Sequence, residues 1–142
     1  MKVKQIMTDS VISIGPRETV AHAARLMKRS NLGALPVCDE EGKVRGIVTD
    51  RDIVTRCVAG GDDPDITPVR EIMSRGIATC RLEDDADEVL HTMSASQVRR
   101  LPVTEGGKVV GMVSLGDLAR SDYFSMEAAQ ALSEISSNIL RK

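Results

Sequence analysis

The strongest constraint on the fold is an internal repeat, in which three blocks of sequence recur in the same order. Val-Lys-Gln-Ile-Met-Thr at 3–8 recurs as Val-Arg-Glu-Ile-Met-Ser at 69–74, and Leu-Pro-Val at 35–37 recurs at 101–103. The third block, which opens at Gly46, recurs at Gly111 with one residue fewer in the turn before it. Because each copy of such a repeat is one supersecondary unit, the chain divides into two equivalent copies.

The boundaries of the copies follow from the composition between them. Repeat 1 occupies 1–58 and repeat 2 occupies 69–120, and the intervening 59–68 is rich in Gly, Asp and Pro, as expected of a linker. Each copy alone is shorter than a chain that easily buries its own core. We therefore expect the two copies to pack together, with an additional C-terminal helix at 121–142.

Each copy has the periodicity of β-α-β-β-α. The first block is strand-like, and a helix follows that is capped by Thr19 or Glu18 in copy one and by Asp84 or Asp85 in copy two. Two short strands joined by a hairpin turn come next, and a second helix closes the copy. The predicted fold class is α/β (α+β), with two β-α-β-β-α repeats related by pseudo-two-fold symmetry.

Composition excludes several classes of function. The net charge is only −2 and the chain has one Tyr and one Phe, so nothing indicates nucleic acid binding. No apolar run is long enough to span a bilayer and no secretory signal is present. Three cysteines without a C-x-x-C pair are typical of reduced thiols, so we expect a cytoplasmic protein.

No catalytic or metal-binding constellation is evident. His22 and His91 have no partners at metal-ligand spacing and are interpreted as structural or surface residues. The sequence contains neither an activated nucleophile nor a P-loop. The acidic run at 83–88 is more simply the acidic first turn of a helix than a metal site. We therefore expect no enzymatic activity and no metal.

Two repeated features leave alternatives open. Pro36 and Pro102 cannot donate to a strand ladder, so each is expected on a strand edge or where the strand leaves its neighbour. Such a place is either a mere strand end or one where unpaired backbone groups could meet a ligand. A hydroxyl precedes an Asp by three residues at the start of the second helix in both copies, at 49–52 and 114–117. This pair can form a helix cap, or its carboxylate can accept hydrogen bonds from ribose hydroxyls next to a helix end that suits phosphate.

These blocks, in this order and in both copies, resemble the CBS domain, named after cystathionine beta-synthase. The resemblance covers residues 2 to about 120 and indicates a stand-alone CBS pair, or Bateman module. It implies a non-enzymatic regulatory or energy-sensing module that binds AMP, ADP, ATP or S-adenosylmethionine in clefts between the two repeats. No obligatory cofactor is implied.

The resemblance also implies two sets of ligand-binding residues. The first set is Thr8, Ser13, Gly33, Ala34, Leu35, Arg99, Arg100, Ser114 and Asp117. The second set is Ser74, Thr79, Thr49, Asp52 and Arg51, together with the strand before Pro102. Because arginine offers planar, multiple donors to phosphate, the set with Arg99 and Arg100 is expected to prefer phosphorylated ligands; the alternative is that these arginines are solvated surface residues.

The C-terminal region at 123–140 favours helix and has no counterpart in copy one. Its apolar residues recur at spacings of three and four, namely Met126, Ala129, Leu132, Ile135 and Ile139. This stripe either packs on its own module or meets another chain. Because CBS pairs often associate face to face, we favour a homodimer, although the stripe could equally dock a regulated protein. A structural interaction module with vestigial ligand sites is the alternative function.

Overall fold

The computed structural model describes residues 1–120 and 125–141, which form two compact units. The central unit comprises Ile12–Ile77 and Gly107–Val109. The terminal unit contains both ends of the chain and comprises Met1–Val11, Ala78–Gly106 and Val110–Lys142. The units therefore differ from the sequence repeats, because the opening segment of each repeat (3–8 and 69–74) belongs to the unit built from the other repeat.

The central unit is a two-stranded sheet covered by helices. Its elements are α1 (Val20–Ser30), β1 (Ala34–Cys38), β2 (Val44–Thr49), α2 (Asp50–Asp52) with a π-helical continuation (Ile53–Val58), and a 3-10 turn (Val69–Glu71). Strands β1 and β2 pair antiparallel. Pro36 lies in β1, an edge strand of this two-stranded sheet, as expected. Its carbonyl is not spare, because it accepts from the N–H of Ile14 at 3.0 Å on the other side of β1.

The terminal unit repeats this plan and adds one helix. Its elements are a 3-10 turn (Val3–Gln5), β3 (Cys80–Arg81), α3 (Ala86–Ser96), β4 (Arg100–Glu105), β5 (Lys108–Ser114), α4 (Leu115–Ala119) and α5 (Ser125–Arg141). The sheet order is β3-β4-β5, and β3 runs parallel to β4. Pro102 lies in β4, the middle strand, so the expectation of an edge position is wrong for this proline. The pairing of β4 with β3 begins only at Val103, so Pro102 lies where the strand leaves this neighbour. The mixture of helices and short strands confirms the predicted α+β class. No described helix has the length and apolar character required to cross a membrane.

The opening segments are not strands, so that part of the predicted order is wrong. In each segment a 3-10 turn is followed by a single antiparallel bridge, at Thr8 with Met112 and at Ser74 with Ile47. Val3 donates its N–H to the carbonyl of Asp84 at 2.9 Å, and the N–H groups of Ile6 and Met7 donate to the carbonyl of Val3 at 3.0 and 2.9 Å. These hydrogen bonds hold the segment in a turn, which leaves no run of N–H groups for a ladder.

Glycines allow the opening segments to cross the sheets closely. A Cβ at Gly46 would lie 2.6 Å from the carbonyl oxygen of Ser74, and one at Gly111 would lie 2.6 Å from the sulfur of Met7. Real Cβ atoms do not approach other atoms so closely, so only glycine fits under the crossing segment. The same close contact between a Met and a Gly thus occurs in each unit, which explains why both residues recur in the two repeats.

The core of each unit includes a valine from the exchanged segment. Val3 is fully buried among residues of α3, β4 and β5, and Val69 is fully buried among residues of α1 and β1. The three cysteines are free and buried. Burial raises the pKa of the Cys80 thiol to about 12, with a smaller contribution from Asp84. Buried neutral thiols of this kind serve as small core residues.

The predicted apolar stripe of α5 is split between two faces. Ile135 is 1% exposed but Met126 is 83% exposed. Four of the five predicted positions are separated by exactly three residues, and at about 100° per residue the stripe drifts around the helix until Met126 and Ile135 face opposite ways. Among the α5 side chains that the structure describes, 126–137, Ala128, Ala131 and Ile135 are buried, and the side chain of Ile139 lies outside this range. Tyr123, where the predicted helix begins, lies outside the described residues.

Candidate functional site

Both hydroxyl–Asp pairs form complete capping boxes. In the central unit, Thr49 Oγ1 accepts from the N–H of Asp52 at 3.1 Å, and Asp52 Oδ2 accepts from the N–H of Thr49 at 2.9 Å. In the terminal unit, Ser114 and Asp117 make the same two bonds at 3.0 and 2.9 Å. The capping interpretation is therefore confirmed. It occupies one oxygen of each carboxylate and leaves Oδ1 for other partners.

An arginine three or four residues further along the chain contacts the second oxygen of each Asp. Arg56 Nη1, on the continuation of α2, lies 3.8 Å from Asp52 Oδ1, and Arg120 Nη2, directly after α4, forms an ion pair with Asp117 Oδ1. Neither arginine is among the pairs predicted from the sequence, although an Asp followed by an Arg at helical spacing is a recognisable pair. A ribose that binds either carboxylate must share this oxygen with a guanidinium or displace it.

In the central unit, Arg56 contacts two residues of the second predicted set, Asp52 and Ser74. Its Nη1 donates to the carbonyl of Ile72 at 3.0 Å and to Ser74 Oγ at 3.4 Å. Ser74 in turn exchanges backbone hydrogen bonds with Ile47, which lies on β2. Asp52 and Ser74 are thus brought together through Arg56. Arg51, the next residue before Asp52, is exposed.

Predicted residues of the first set also lie in the central unit, at two different places. Ala34 pairs with Thr49, and the carbonyl of Gly33 accepts from the N–H of Asp50 at 3.0 Å, so Gly33, Ala34 and Leu35 lie beside the capping box of their own unit. Ser13 lies towards the other end of β1. There burial raises the pKa of the Cys38 thiol, and a hydrogen bond with Ser13 lowers it in part.

In the terminal unit, the arginine pair and Ser114 line one cavity, and Asp117 follows the lining residue Gly116 without lining the cavity itself. The N–H of Leu115 donates to the carbonyl of Arg99 at 2.7 Å, which fixes the start of β4 beside the start of α4. A cavity of about 480 Å³ is lined there by Arg99, Arg100, Ser114 and Gly116, and on its far side by α5. A volume of this size suits a small-molecule site.

The remaining predicted residues of the terminal unit lie on the surface. Thr8 is exposed and exchanges backbone hydrogen bonds with Met112 at 2.8 and 2.9 Å, two residues before Ser114. Thr79 is exposed and immediately precedes β3. The first predicted set is therefore divided. Thr8, Arg99, Arg100, Ser114 and Asp117 belong to the terminal unit, whereas Ser13, Gly33, Ala34 and Leu35 belong to the central unit.

The chain is similar to known proteins over nearly its whole length. The CBS domain family model matches residues 3–59 and 69–123. The CBS domain-containing protein YhcV of Bacillus subtilis is 40% identical over 134 residues, which is 94% of both chains.

Two solved structures are also similar to this chain in fold and sequence. The crystal structure of Hypoxic Response Protein I with two coordinated zinc ions matches with a TM-score of 0.80 and 35% identity, covering 85% of this chain and 98% of that one. The CBS domain pair of protein MJ0100 in complex with 5'-methylthioadenosine and S-adenosylmethionine matches with a TM-score of 0.78 and 28% identity, covering 89% and 98%. Among the described residues of this chain, no group of three or more His, Cys, Asp or Glu side chains could hold a metal ion.

Proposed function

The chain belongs to the CBS domain family. We propose that it is a non-enzymatic regulatory module that binds an adenosine-containing ligand and, when the ligand is bound, signals this to a partner protein or to a second copy of the chain. The ligand class is AMP, ADP, ATP or S-adenosylmethionine. The MJ0100 pair, which is similar over most of this chain, binds two adenosyl compounds. A regulator of this kind works only if the ligand binds one arrangement of the protein better than another.

The observation that carries the proposal is the cavity of about 480 Å³ in the terminal unit. Arg99, Arg100 and Ser114 all line this cavity. Guanidinium groups bind phosphate through charge-assisted, often bidentate hydrogen bonds. The cavity therefore has the donors required for the phosphate of a nucleotide.

Within this proposal the capping box does two tasks. Asp117 Oδ2 keeps the N–H bond that starts α4, and Asp117 Oδ1 accepts from the ribose hydroxyls once Arg120 releases it. The Arg120 side chain is exposed whereas that of Asp117 is largely buried, so the ribose hydroxyls have to replace the Arg120 contact at Asp117 Oδ1. Arg120 does not line the cavity and then turns to solvent.

The two repeats are proposed to bind with unequal affinity. Copy one has Gly33 and Ala34 where copy two has Arg99 and Arg100. In the central unit the available cations are Arg51, which is exposed, and Arg56, which already contacts Asp52 and Ser74. We therefore assign the preferred phosphate site to the terminal unit.

Calorimetric titration of ligand-free protein with AMP, ADP, ATP and S-adenosylmethionine tests the proposal. We expect Asp117→Ala, and separately the Arg99→Ala/Arg100→Ala pair, to weaken nucleotide binding by roughly tenfold or more, since hydrogen bonds to charged groups contribute about 1.5–3 kcal/mol. Arg25→Ala, at an exposed position of α1, is the matched control. Affinities that do not change in the first two variants would refute the site.

One observation favours the alternative, a structural interaction module whose ligand sites are vestigial. Both carboxylates already have partners at both oxygens, from the capping box and from an arginine. The alternative predicts that no adenosyl ligand changes the melting temperature. A bound ligand at one hundred times its Kd instead stabilises the native state by about 2.7 kcal/mol.

A further inference from the structure

Helix α5 forms one wall of the cavity that contains Arg99 and Arg100. The residues that it contributes are Ala128, Ala129 and Leu132. This helix begins at Ser125, beyond the residues matched by the CBS family model. The wall is therefore a feature of this chain that the family resemblance does not supply.

The wall differs in charge from the opposite side of the cavity. Between residues 126 and 137 the helix carries no Lys or Arg, and its charged side chains, Glu127 and Glu134, line the neighbouring space against α3. The positive charge lining the cavity thus comes from the side of Arg99 and Arg100. A ligand group that reaches α5 meets methyl groups instead of hydrogen-bond donors.

This distribution of positive charge limits how much negative charge of a ligand the lining residues can neutralise. A single phosphate group carries roughly −1.5 to −2 at pH 7, which two guanidinium groups balance. Each further phosphate adds charge for which the lining residues of α5 provide no hydrogen-bond donor. Placing an unpaired charge against an apolar surface is costly.

We propose that α5 acts as a specificity wall, so that the cavity favours an adenosine ligand with one phosphate over its triphosphate. Ala129 and Leu132 are the specificity-determining residues. This inference rests on the proposed function, because it concerns the ligand of the same cavity.

A pair of charge variants on α5 tests the proposal in the full-length protein. Ala129→Lys places an ammonium group on the cavity wall at an exposed position, so the core is not disturbed. Met126→Lys adds the same charge to the same helix at a side chain that is 83% exposed and does not line the cavity. Leu132→Lys, at a side chain that is 41% exposed, provides a second cavity position if the first variant fails to fold.

The readout is the ratio of the Kd for ATP to the Kd for AMP, measured by calorimetry without magnesium. We expect the wild-type protein to bind AMP at least about tenfold more tightly, Ala129→Lys to reduce this ratio about tenfold, and Met126→Lys to leave it within about twofold, since one added charged hydrogen bond contributes about 1.5 kcal/mol or more.

Three outcomes would overturn the inference, and they separate it from the proposed function. Tighter wild-type binding of ATP than of AMP, or equal shifts in the two lysine variants, refutes the specificity wall but leaves a nucleotide-binding module. Absence of binding of any adenosyl ligand to the wild-type protein refutes the proposed function and the wall together.

Discussion

At the scale of single residues, the same side chain meets a folding requirement and carries a proposed binding role. Asp52 and Asp117 each cap a helix with one oxygen and hold an arginine with the other. The cap explains why the Asp follows the hydroxyl by three residues in both repeats, with no ligand required. Spacing alone therefore could not decide between the two roles, and the cavity beside Ser114 is the observation that favours ligand binding at one of them.

One prediction at this scale concerns the stability effect of replacing Gly46. Gly46→Ala is expected to destabilise the protein by about 1–3 kcal/mol, because the new Cβ would lie 2.6 Å from the backbone oxygen of Ser74 and would force the opening segment away. The measurement is urea denaturation followed by circular dichroism.

Gly116→Ala is the control for this prediction. Its Cβ would lie 3.4 Å from the nearest atom, the Nη1 of Arg120, which is the flexible end of a side chain, and Gly116 lies in helix α4. Alanine is favoured over glycine in a helix by roughly 0.5–1 kcal/mol, so this variant is expected to be neutral or slightly stabilised. An equal loss of stability in both variants would contradict the crossing explanation.

At the scale of elements, local patterns predicted most of the helices and strands, and tertiary contacts decided the rest. Strand β2 begins at Val44 and helix α2 begins at Asp50, where alternation and capping signals place them. The opening segments look like strands because Val and Ile favour that conformation, yet distant carbonyls hold them in 3-10 turns. The exchange of these segments leaves no signal in either repeat alone, so sequence could not reveal it.

The first opening segment is also held to α3 by an ion pair. Lys2 Nζ lies 2.9 Å from Asp85 Oδ1, and Asp85 is the N-cap residue of α3 but makes no side-chain cap bond. The hydrogen bond and charge of Lys2 lower the pKa of Asp85, and those of Asp85 raise the pKa of Lys2.

We expect this pair to give a stability difference that depends on pH. Because the pKa of Asp85 is lower in the folded state, its contribution is present above the unfolded value of about 3.9 and is lost as the pH falls through the folded value. Because the pKa of Lys2 is raised, the contribution is also lost well above pH 10.5. Lys2→Met is therefore expected to be slightly less stable than wild type at pH 7 and equal to it near pH 2.

A double-mutant cycle of Lys2→Met and Asp85→Asn, followed by urea denaturation at both pH values, isolates this pair from other effects of each substitution. A coupling free energy that is the same at pH 7 and pH 2 would show that the two side chains interact through packing and not through charge.

At the scale of the whole molecule, some large apolar side chains are exposed and do not belong to the core of either unit. On the central unit, Val54 is 60% exposed and Val58 is 63% exposed, both on the helical continuation of α2. Together with the face-to-face association implied by the family resemblance, they make this helix the expected contact between two chains.

We therefore expect light scattering after size exclusion to give twice the chain mass of 15.4 kDa. The Val54→Lys/Val58→Lys variant is expected to raise the dimer dissociation constant at least about tenfold, because burial of each valine contributes about 1.5–3 kcal/mol. Ile66→Lys, at an exposed apolar side chain of the linker, is the control. A dimer that resists the valine changes would place the interface elsewhere.

The exchanged opening segments also determine the order in which the protein can fold during synthesis. Residues 1–11 leave the ribosome before residues 80 to 131, which build the core that buries Val3. The central unit can assemble once residue 77 has emerged, apart from the three residues of the later hairpin. Residues 1–11 are thus translated long before the unit that they complete, so they stay unpacked in the growing chain until residue 131 has emerged.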